Sequence, residues 1–252
     1  MAVEKHAEHS YRVRFDEAGA SGHLRSSGFL RFAQDMAWRH SEAAGFGRSW
    51  YREHGLTWLI RAVELDIVED VAYGAEIDVS TTVVGFRRVW GRRHSEFSEP
   101  GSGRIVAGAI IDWVLLNARG RPARVPPEIA QLFETGATFT PLHVDLPDPP
   151  SDATRVEFAV RQSELDPLGH VNNAAYLDYL EEHLVEVGRR ADPRRRPRRY
   201  RLEFVASAEA GATLNGRGWQ DELAWCYHLV DANGRALLRA RLETDPALWV
   251  GG

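Results

Sequence analysis

The chain of 252 residues contains one order of elements twice, and this repetition constrains its fold more than any other feature. Each half has a short strand, a loop with Asp, Gly and His, a helical segment and then four strands. A helix followed by consecutive antiparallel strands predicts a helix packed on a sheet, which is an α+β arrangement rather than a nucleotide-binding βαβ fold. We therefore expect a duplicated unit of about 120 residues.

The boundaries of the two units follow from the positions of the prolines. A proline-rich stretch without periodicity is typical of a linker and separates the halves. We predict a first unit at 1–134, a linker at 135–151 and a second unit at 152–252.

Within the units, apolar spacing predicts two long helices. The first helix is expected from a Ser26 or Ser27 cap to about Ala44, and the second runs from Asn172 to Arg190. The first strand is expected at 11–15, and the segment 50–55 is expected to be a connection.

Composition excludes several classes of protein. A net charge of −5 argues against general nucleic-acid binding. One cysteine, Cys226, excludes an internal disulfide framework and is expected to be a small buried hydrophobe. No apolar signal core, membrane span, nucleophile-elbow motif or metal-ligand spacing is present in the sequence, so we expect a cytoplasmic protein without membrane insertion or a metal.

The loop of the second half concentrates polar groups before a helix. Asp166 and His170 flank a Pro-Leu-Gly turn, and Asn172 and Asn173 follow as possible caps. Free N–H groups at a helix start suit developing negative charge, so this loop could polarise a carbonyl. The alternative is that these side chains only cap a helix and order a loop.

The sequence from Asp166 to Tyr176, with its His-Val-Asn-Asn core, resembles the hallmark of the acyl-ACP thioesterases of plants and bacteria (ACP, acyl carrier protein). The segments 29–35, 58–61, 112–115 and 200–203 are similar to that family as well. The resemblance implies a double hot-dog fold of two tandem units, each a long helix wrapped by an antiparallel sheet. It implies hydrolysis of fatty acyl-ACP to free fatty acid in fatty acid biosynthesis, without a cofactor.

The resemblance also implies the site residues. Asp166, His170 and Glu203 match the family's catalytic Asp, His and later-strand Glu, whereas Leu168 stands where the family has an Asn. Either His170 or Glu203 would activate water, and Asp166 would orient His170. Asn172, Asn173 or a backbone N–H would replace the missing amide.

The first half carries a parallel set of residues. Asp16 and His23 lie in its loop, and Glu64 occupies the place that Glu203 has in the second half. Because the resembled family assigns chemistry to the second half, we interpret this set as a relic, with activity at a possible second site as the alternative.

Substrate contacts are expected in both halves. Trp38 and Trp58 are candidates for an acyl pocket, with a plain core role as the alternative. Arg194 and Arg195, within the arginine run 189–199, could steer acidic acyl carrier protein or hold the phosphates of acyl-CoA, or they could be a solvated loop. An acyl-CoA thioesterase and a non-catalytic acyl-binding protein remain alternative functions, and a monomer and a homodimer are both compatible with the duplication.

Overall fold

The computed structural model describes residues 5–133, 138–222 and 224–245. Residues 134–137, where the predicted first unit ends and the predicted linker begins, and the outer ends 1–4 and 246–252 lie outside the described residues. The chain divides into two compact units. The first comprises the chain up to Val63 and Asp70–Leu142, and the second comprises Glu64–Glu69 and the chain from His143 onward.

The first unit is a long helix on an antiparallel sheet. Its strands follow the order β1-β3-β4-β5-β2, and α1 contacts β1, β3 and β5. Phe29 of α1 and Phe97 of β4 meet edge to face in its core, with ring centroids 5.2 Å apart. The elements are β1 (His6–Arg12), α1 (Ser26–Ala43), α2 (Arg48–Glu53), β2 (Leu56–Ile67, whose end belongs to the second unit), β3 (Glu76–Arg87), β4 (Trp90–Ser98), β5 (Ile105–Asn117) and α3 (Pro127–Leu132).

The second unit repeats this arrangement. Its strands follow the order β7-β10-β9-β8-β6, and α4 contacts β6 and β8. A hairpin turn joins β9 to the next strand, with the Asp231 N–H donating to the Arg235 carbonyl at 3.0 Å. The elements are β6 (Thr154–Ala159), α4 (Asn173–Glu186), β7 (Arg198–Phe204), β8 (Thr213–Asp221), β9 (Ala224–Asp231) and β10 (Ala236–Glu243).

The predicted α+β arrangement, in which each of two repeated units packs a helix on an antiparallel sheet, is confirmed. Several boundaries were wrong. The first strand is β1 rather than 11–15, and the expected connection at 50–55 is largely helix α2. Arg25 caps α1 without a side-chain hydrogen bond, so neither serine caps it. Helix α4 ends at Glu186 rather than Arg190, because the chain turns at Gly188, whose φ of 80° lies in the left-handed region.

Among the described residues, no helix has both the length and the apolar character that crossing a bilayer requires.

Candidate active site

The loop before α4 is ordered by one carboxylate. Asp166 Oδ1 accepts from the N–H groups of Leu168 at 2.8 Å and His170 at 3.2 Å. The Asp166 N–H donates to the His170 carbonyl at 2.7 Å, which closes the loop. The structure therefore brings Asp166 and His170 together through the main chain, and it leaves the His170 side chain exposed to solvent.

The start of α4, a few residues after this histidine, has one open donor. Asn172 caps the helix, accepting from the Ala174 N–H on its side chain and from the Ala175 N–H on its carbonyl, both at 2.9 Å. In the part of the chain that the structure describes, the Asn173 N–H has no hydrogen-bond partner. An unpaired N–H at a helix N-terminus is a suitable donor to an oxyanion. The Asn172 side chain is already used as a cap.

Glu203 lies in a different environment, buried on β7. Its Oε2 lies 2.8 Å from Nδ1 of His143 and accepts from the Val144 N–H at 3.2 Å. The guanidinium of Arg239 on β10 lies 3.8 Å from the same oxygen. The carboxylate is therefore held by an imidazole, a main-chain donor and a cation, all within the second unit.

The alternation of β7 separates Glu203 from the loop. The Tyr200 hydroxyl donates to a glutamate of α4, and the Phe204 ring packs against a tyrosine of α4. Because side chains alternate along a strand, Glu203 faces away from α4. No hydrogen bond or ion pair among the described residues joins Glu203 to Asp166 or His170, so the structure links only two of the three predicted catalytic residues.

In the first unit, Trp38 and Trp58 line one pocket with about 550 Å³ of space between its side chains, part of it open to solvent. Its wall is largely aromatic, and Tyr51 accepts a hydrogen bond from the Trp58 indole N–H at 3.1 Å. The structure therefore places both predicted acyl-pocket tryptophans at one cavity. The remaining lining residues are Ala37, Ser41, Val83, Phe86, Gly91, Arg92, Arg93, Trp113, Ile129 and Phe133.

Both halves of the chain match sequence models of a known protein family. Residues 4–133 match the sequence model of the acyl-ACP thioesterase N-terminal domain, and residues 148–244 match that of the C-terminal domain. The chain belongs to the acyl-ACP thioesterase family. The match covers most of the chain and includes both halves of the duplication, so the family inferred from the His-Val-Asn-Asn loop is confirmed.

Individual members of the acyl-ACP thioesterase family are distant in sequence. A chloroplastic acyl-[acyl-carrier-protein] hydrolase of Cuphea viscosissima is 25% identical over 189 residues, which is 69% of this chain and 46% of that protein. A chloroplastic palmitoyl-acyl carrier protein thioesterase of Cuphea hookeriana is 24% identical over 189 residues, 69% of this chain and 45% of that protein. The chain thus spans about half the length of these curated relatives.

Solved structures of acyl-ACP thioesterases share the fold. The crystal structure of an acyl-ACP thioesterase from Bacteroides thetaiotaomicron matches with a TM-score of 0.78 at 16% identity, covering 96% of this chain and 98% of that one. The 12:0-ACP thioesterase from Umbellularia californica matches with a TM-score of 0.78 at 19% identity, covering 95% and 97%. At these identities the likeness shows the double hot-dog fold.

In this member of the acyl-ACP thioesterase family, the first-half set has structural contacts of its own. Asp16 is exposed and pairs with a neighbouring arginine at 3.4 Å, and His23 forms an isolated β-bridge with Ala72. Glu64 belongs to the second unit, where its carboxylate lies 3.0 Å from Arg201 and 3.7 Å from a second arginine. The interpretation of Asp16, His23 and Glu64 as a relic stays a prediction, with activity at this set as its alternative.

Only part of the arginine run 189–199 is exposed to solvent. The Arg189 guanidinium lies 4.6 Å from the Trp225 ring, and Arg198 and Arg199 are buried. Arg194 and Arg195 are exposed, so the part of the run that a partner could reach includes the two arginines predicted to bind substrate.

Sequence reasoning missed His143 and His228. His143 lies in a segment without periodicity, and no motif marks it as the partner of Glu203. His228 lines a polar pocket with His143 and Arg239, and its Nε2 is buried without a partner among the described residues. Burial, with Arg239 and Arg217 nearby, lowers the pKa of His228.

The alternation of apolar and charged residues along β7 was the available signal that Glu203 faces away from α4.

Cys226 of β9 is fully buried, and burial raises the pKa of its thiol to about 11. The group is therefore a neutral thiol near pH 7, in agreement with the predicted role as a small hydrophobe.

Proposed function

We propose that this chain is a cytoplasmic thioesterase that hydrolyses fatty acyl-ACP to free fatty acid and the carrier thiol. Family membership supports the reaction class, and the loop before α4 supports a site for it. The observation that carries the proposal is the exposed His170 ring placed three residues before the open N–H of Asn173. A general base and an oxyanion donor are the minimum that hydrolysis of a thioester requires, and this loop supplies one of each.

The proposed step uses water as the nucleophile. His170 takes a proton from water, the hydroxide oxygen bonds to the thioester carbonyl carbon, and the oxyanion accepts from the Asn173 N–H. Collapse of this intermediate breaks the carbon–sulfur bond, and the proton held by His170 goes to the departing thiolate. Leu168, which replaces the family Asn, is about half exposed, and its N–H is already donated to Asp166 in the turn. In this proposal the Asn173 N–H takes the role of the missing amide.

Glu203 is the second candidate base, and its geometry implies a different role. It is buried and already bound to His143 and the Val144 N–H, so its oxygen is less available to a water molecule than the His170 ring is. We therefore expect Glu203 to support the second unit more than the chemistry.

The decisive assay follows thiol release from acyl-ACP and acyl-CoA of several chain lengths. His170→Ala is expected to lower kcat by about a hundredfold or more, the usual contribution of a general base. Glu203→Gln, which keeps the shape of the side chain, is expected to lower kcat by less than tenfold. His54→Ala, an exposed histidine in the first unit, serves as the matched control and should leave kcat unchanged.

Other results of this assay would favour one of the alternative functions or another site. No thiol release from either carrier would favour a non-catalytic acyl-binding protein, and faster release from acyl-CoA would favour an acyl-CoA thioesterase. Wild-type rates in both variants would remove the site and direct attention to His23 and Glu64.

Carrier docking is tested separately. Arg194→Glu with Arg195→Glu should raise KM for acyl-ACP several-fold, because acyl carrier protein is acidic, and the effect should shrink in high salt. Arg48→Glu with Arg119→Glu, two exposed arginines of the first unit, is the control of equal charge change. An unchanged KM in the first double variant would remove the docking proposal.

A further inference from the structure

Two adjacent arginines of β4 are among the residues that line the aromatic pocket of the first unit, and only one of them pairs with a carboxylate. Arg92 donates to both oxygens of Asp112, at 2.6 and 2.8 Å, and to the Thr140 carbonyl. Arg93 donates to Nδ1 of His40 at 2.9 Å. In the described part of the chain, no carboxylate pairs with Arg93.

A guanidinium without a counter-ion is costly beside aromatic walls. The pocket around Arg93 is lined by large apolar side chains, among them Trp38, Trp58, Phe86 and Phe133. Removal from solvent lowers the pKa of Arg93 to about 10, so the group is still a cation at neutral pH. A charge withdrawn from solvent is ordinarily paired, and the half-buried Arg93 has only an imidazole nitrogen.

A second donor in the pocket also lacks a partner. The indole N–H of Trp113 is buried and makes no hydrogen bond among the described residues. The other polar groups satisfy one another. Ser41 donates to the Phe46 carbonyl at 2.8 Å, and the Tyr51 hydroxyl lies 3.3 Å from the Ser41 hydroxyl. The unsatisfied groups of this pocket are thus a cation and a neutral donor, and both require an acceptor.

We propose that this pocket binds a hydrocarbon chain that carries a carboxylate, with the carboxylate on the Arg93 guanidinium and within reach of the Trp113 N–H. The aromatic wall accommodates the chain, and the two donors select the anionic end. The inference rests on the proposed function in treating this pocket as an acyl site, and it adds to that function a preference for a charged end.

Calorimetry tests the inference without any turnover. Decanoate and 1-decanol share a chain length and differ in charge at one end. The wild-type protein is expected to bind decanoate about tenfold to a hundredfold more tightly than decanol, as for a hydrogen-bonded ion pair. Arg93→Met should remove this preference and keep the affinity for decanol. Arg119→Met, an exposed loop arginine of the same unit, is the matched control and should keep the preference.

Two results would overturn the proposal. One is equal affinity of the wild-type protein for decanoate and decanol, and the other is a preference that survives in Arg93→Met. If Arg93→Met fails to fold, Arg93→Lys and Trp113→Phe take its place. Each should lower the preference for decanoate several-fold, and no change in either variant would count against the proposal.

Kinetics then distinguish the two sources of the carboxylate. If the charged end belongs to the free fatty acid, decanoate should inhibit hydrolysis of decanoyl thioester competitively, and Arg93→Met should weaken that inhibition about tenfold. If it is the far end of a dicarboxylic acyl group, a thioester with a terminal carboxylate should have a lower KM than the plain acyl thioester in the wild type only. If the protein binds decanoate through Arg93 but releases no thiol from either carrier, the proposed function is refuted and the carboxylate site at Arg93 is still supported.

Discussion

Asp166 controls the loop before α4 through one oxygen atom. That oxygen accepts from two backbone N–H groups, as in an Asx turn, and the second of them belongs to His170. No bond joins the Asp166 carboxylate to the His170 ring in the described structure. The carboxylate therefore positions His170 through the main chain rather than by fixing the tautomer of its ring.

This geometry predicts a difference between two substitutions. Asp166→Asn keeps an acceptor oxygen in place, whereas Asp166→Ala releases both N–H groups. We expect Asp166→Ala to lower kcat about tenfold or more and to cost about 1 kcal/mol of unfolding free energy. Asp166→Asn should stay within a few-fold of the wild type. The measurements are steady-state kinetics and urea unfolding. If Asn is as damaging as Ala, the negative charge is what the site requires.

At this scale the sequence predicted part of the candidate site. The loop before α4 could be predicted from local sequence, because its turn residues, its caps and its histidine lie within one short stretch. The surroundings of Glu203 depend on His143, which lies sixty residues away in a segment without periodicity. Local patterns cannot reveal such a pair, because the contact is made only when the strand and that segment are packed.

Among the elements, β8 shows why two of its glycines are required. At Gly218 an added Cβ would lie closer than 3.0 Å to the rings of Trp225 and His183. Gly216 is similarly close to the Tyr227 hydroxyl. These aromatic and imidazole rings pack directly on the strand backbone, so β8 has no room for side chains at these two positions.

Gly218→Ala is therefore expected to destabilise the protein by about 1–3 kcal/mol through overpacking. The control is Gly108→Ala on β5, where the atoms nearest to an added Cβ lie at 3.9 and 4.0 Å. That substitution should change the free energy of unfolding by less than about 0.5 kcal/mol. Chemical denaturation of both variants measures the difference, and similar effects at the two glycines would contradict the packing argument.

The predictability of elements depended on their length. The four strands after each long helix were predicted in number and order, and α1 to within a residue of its end, because each has enough residues to show a period. Helix α2 has six residues, too few for a helical stripe. Its Tyr51 packs with Phe46 and Val83 in a small core cluster, so tertiary contacts rather than local pattern stabilise it.

Over the whole molecule, the two copies share one fold and carry different polar groups. The first unit has an aromatic pocket with an unneutralised arginine, and the second has the exposed histidine before an open helix start. The order of elements was visible in the sequence because both copies obey the same periods. The burial of individual polar groups was not visible, since it depends on which strand and helix faces meet.

His183 of α4 is a buried polar group whose protonation affects the stability of the whole protein. Its Nε2 lies 2.9 Å from the Thr154 hydroxyl, which donates to the Gly218 carbonyl at 2.7 Å. The single hydroxyl proton is thus already used, so this network assigns the proton to Nε2 of His183. Its Nδ1 is buried without a partner among the described residues, which suits a neutral ring.

This environment makes the stability of the protein depend on pH. Burial lowers the pKa of His183 from 6.5 to about 4 in the folded state. Between these values the unfolded chain binds a proton that the folded protein excludes, so stability falls as pH decreases through this window. The contribution is about 2 kcal/mol lost at pH 5 and up to about 3 kcal/mol at pH 4.

Urea unfolding from pH 7.5 to pH 4 would measure this effect. His183→Gln, which cannot titrate but can still bond to Thr154, should be less stable at pH 7.5 and should lose less stability than the wild type on acidification. The exposed His54→Gln should follow the wild-type curve. Parallel curves for the wild type and His183→Gln would show that His183 titrates alike in the folded and unfolded states. That result would contradict a buried neutral ring, because exclusion of the proton from the packed core is the only source of the predicted difference.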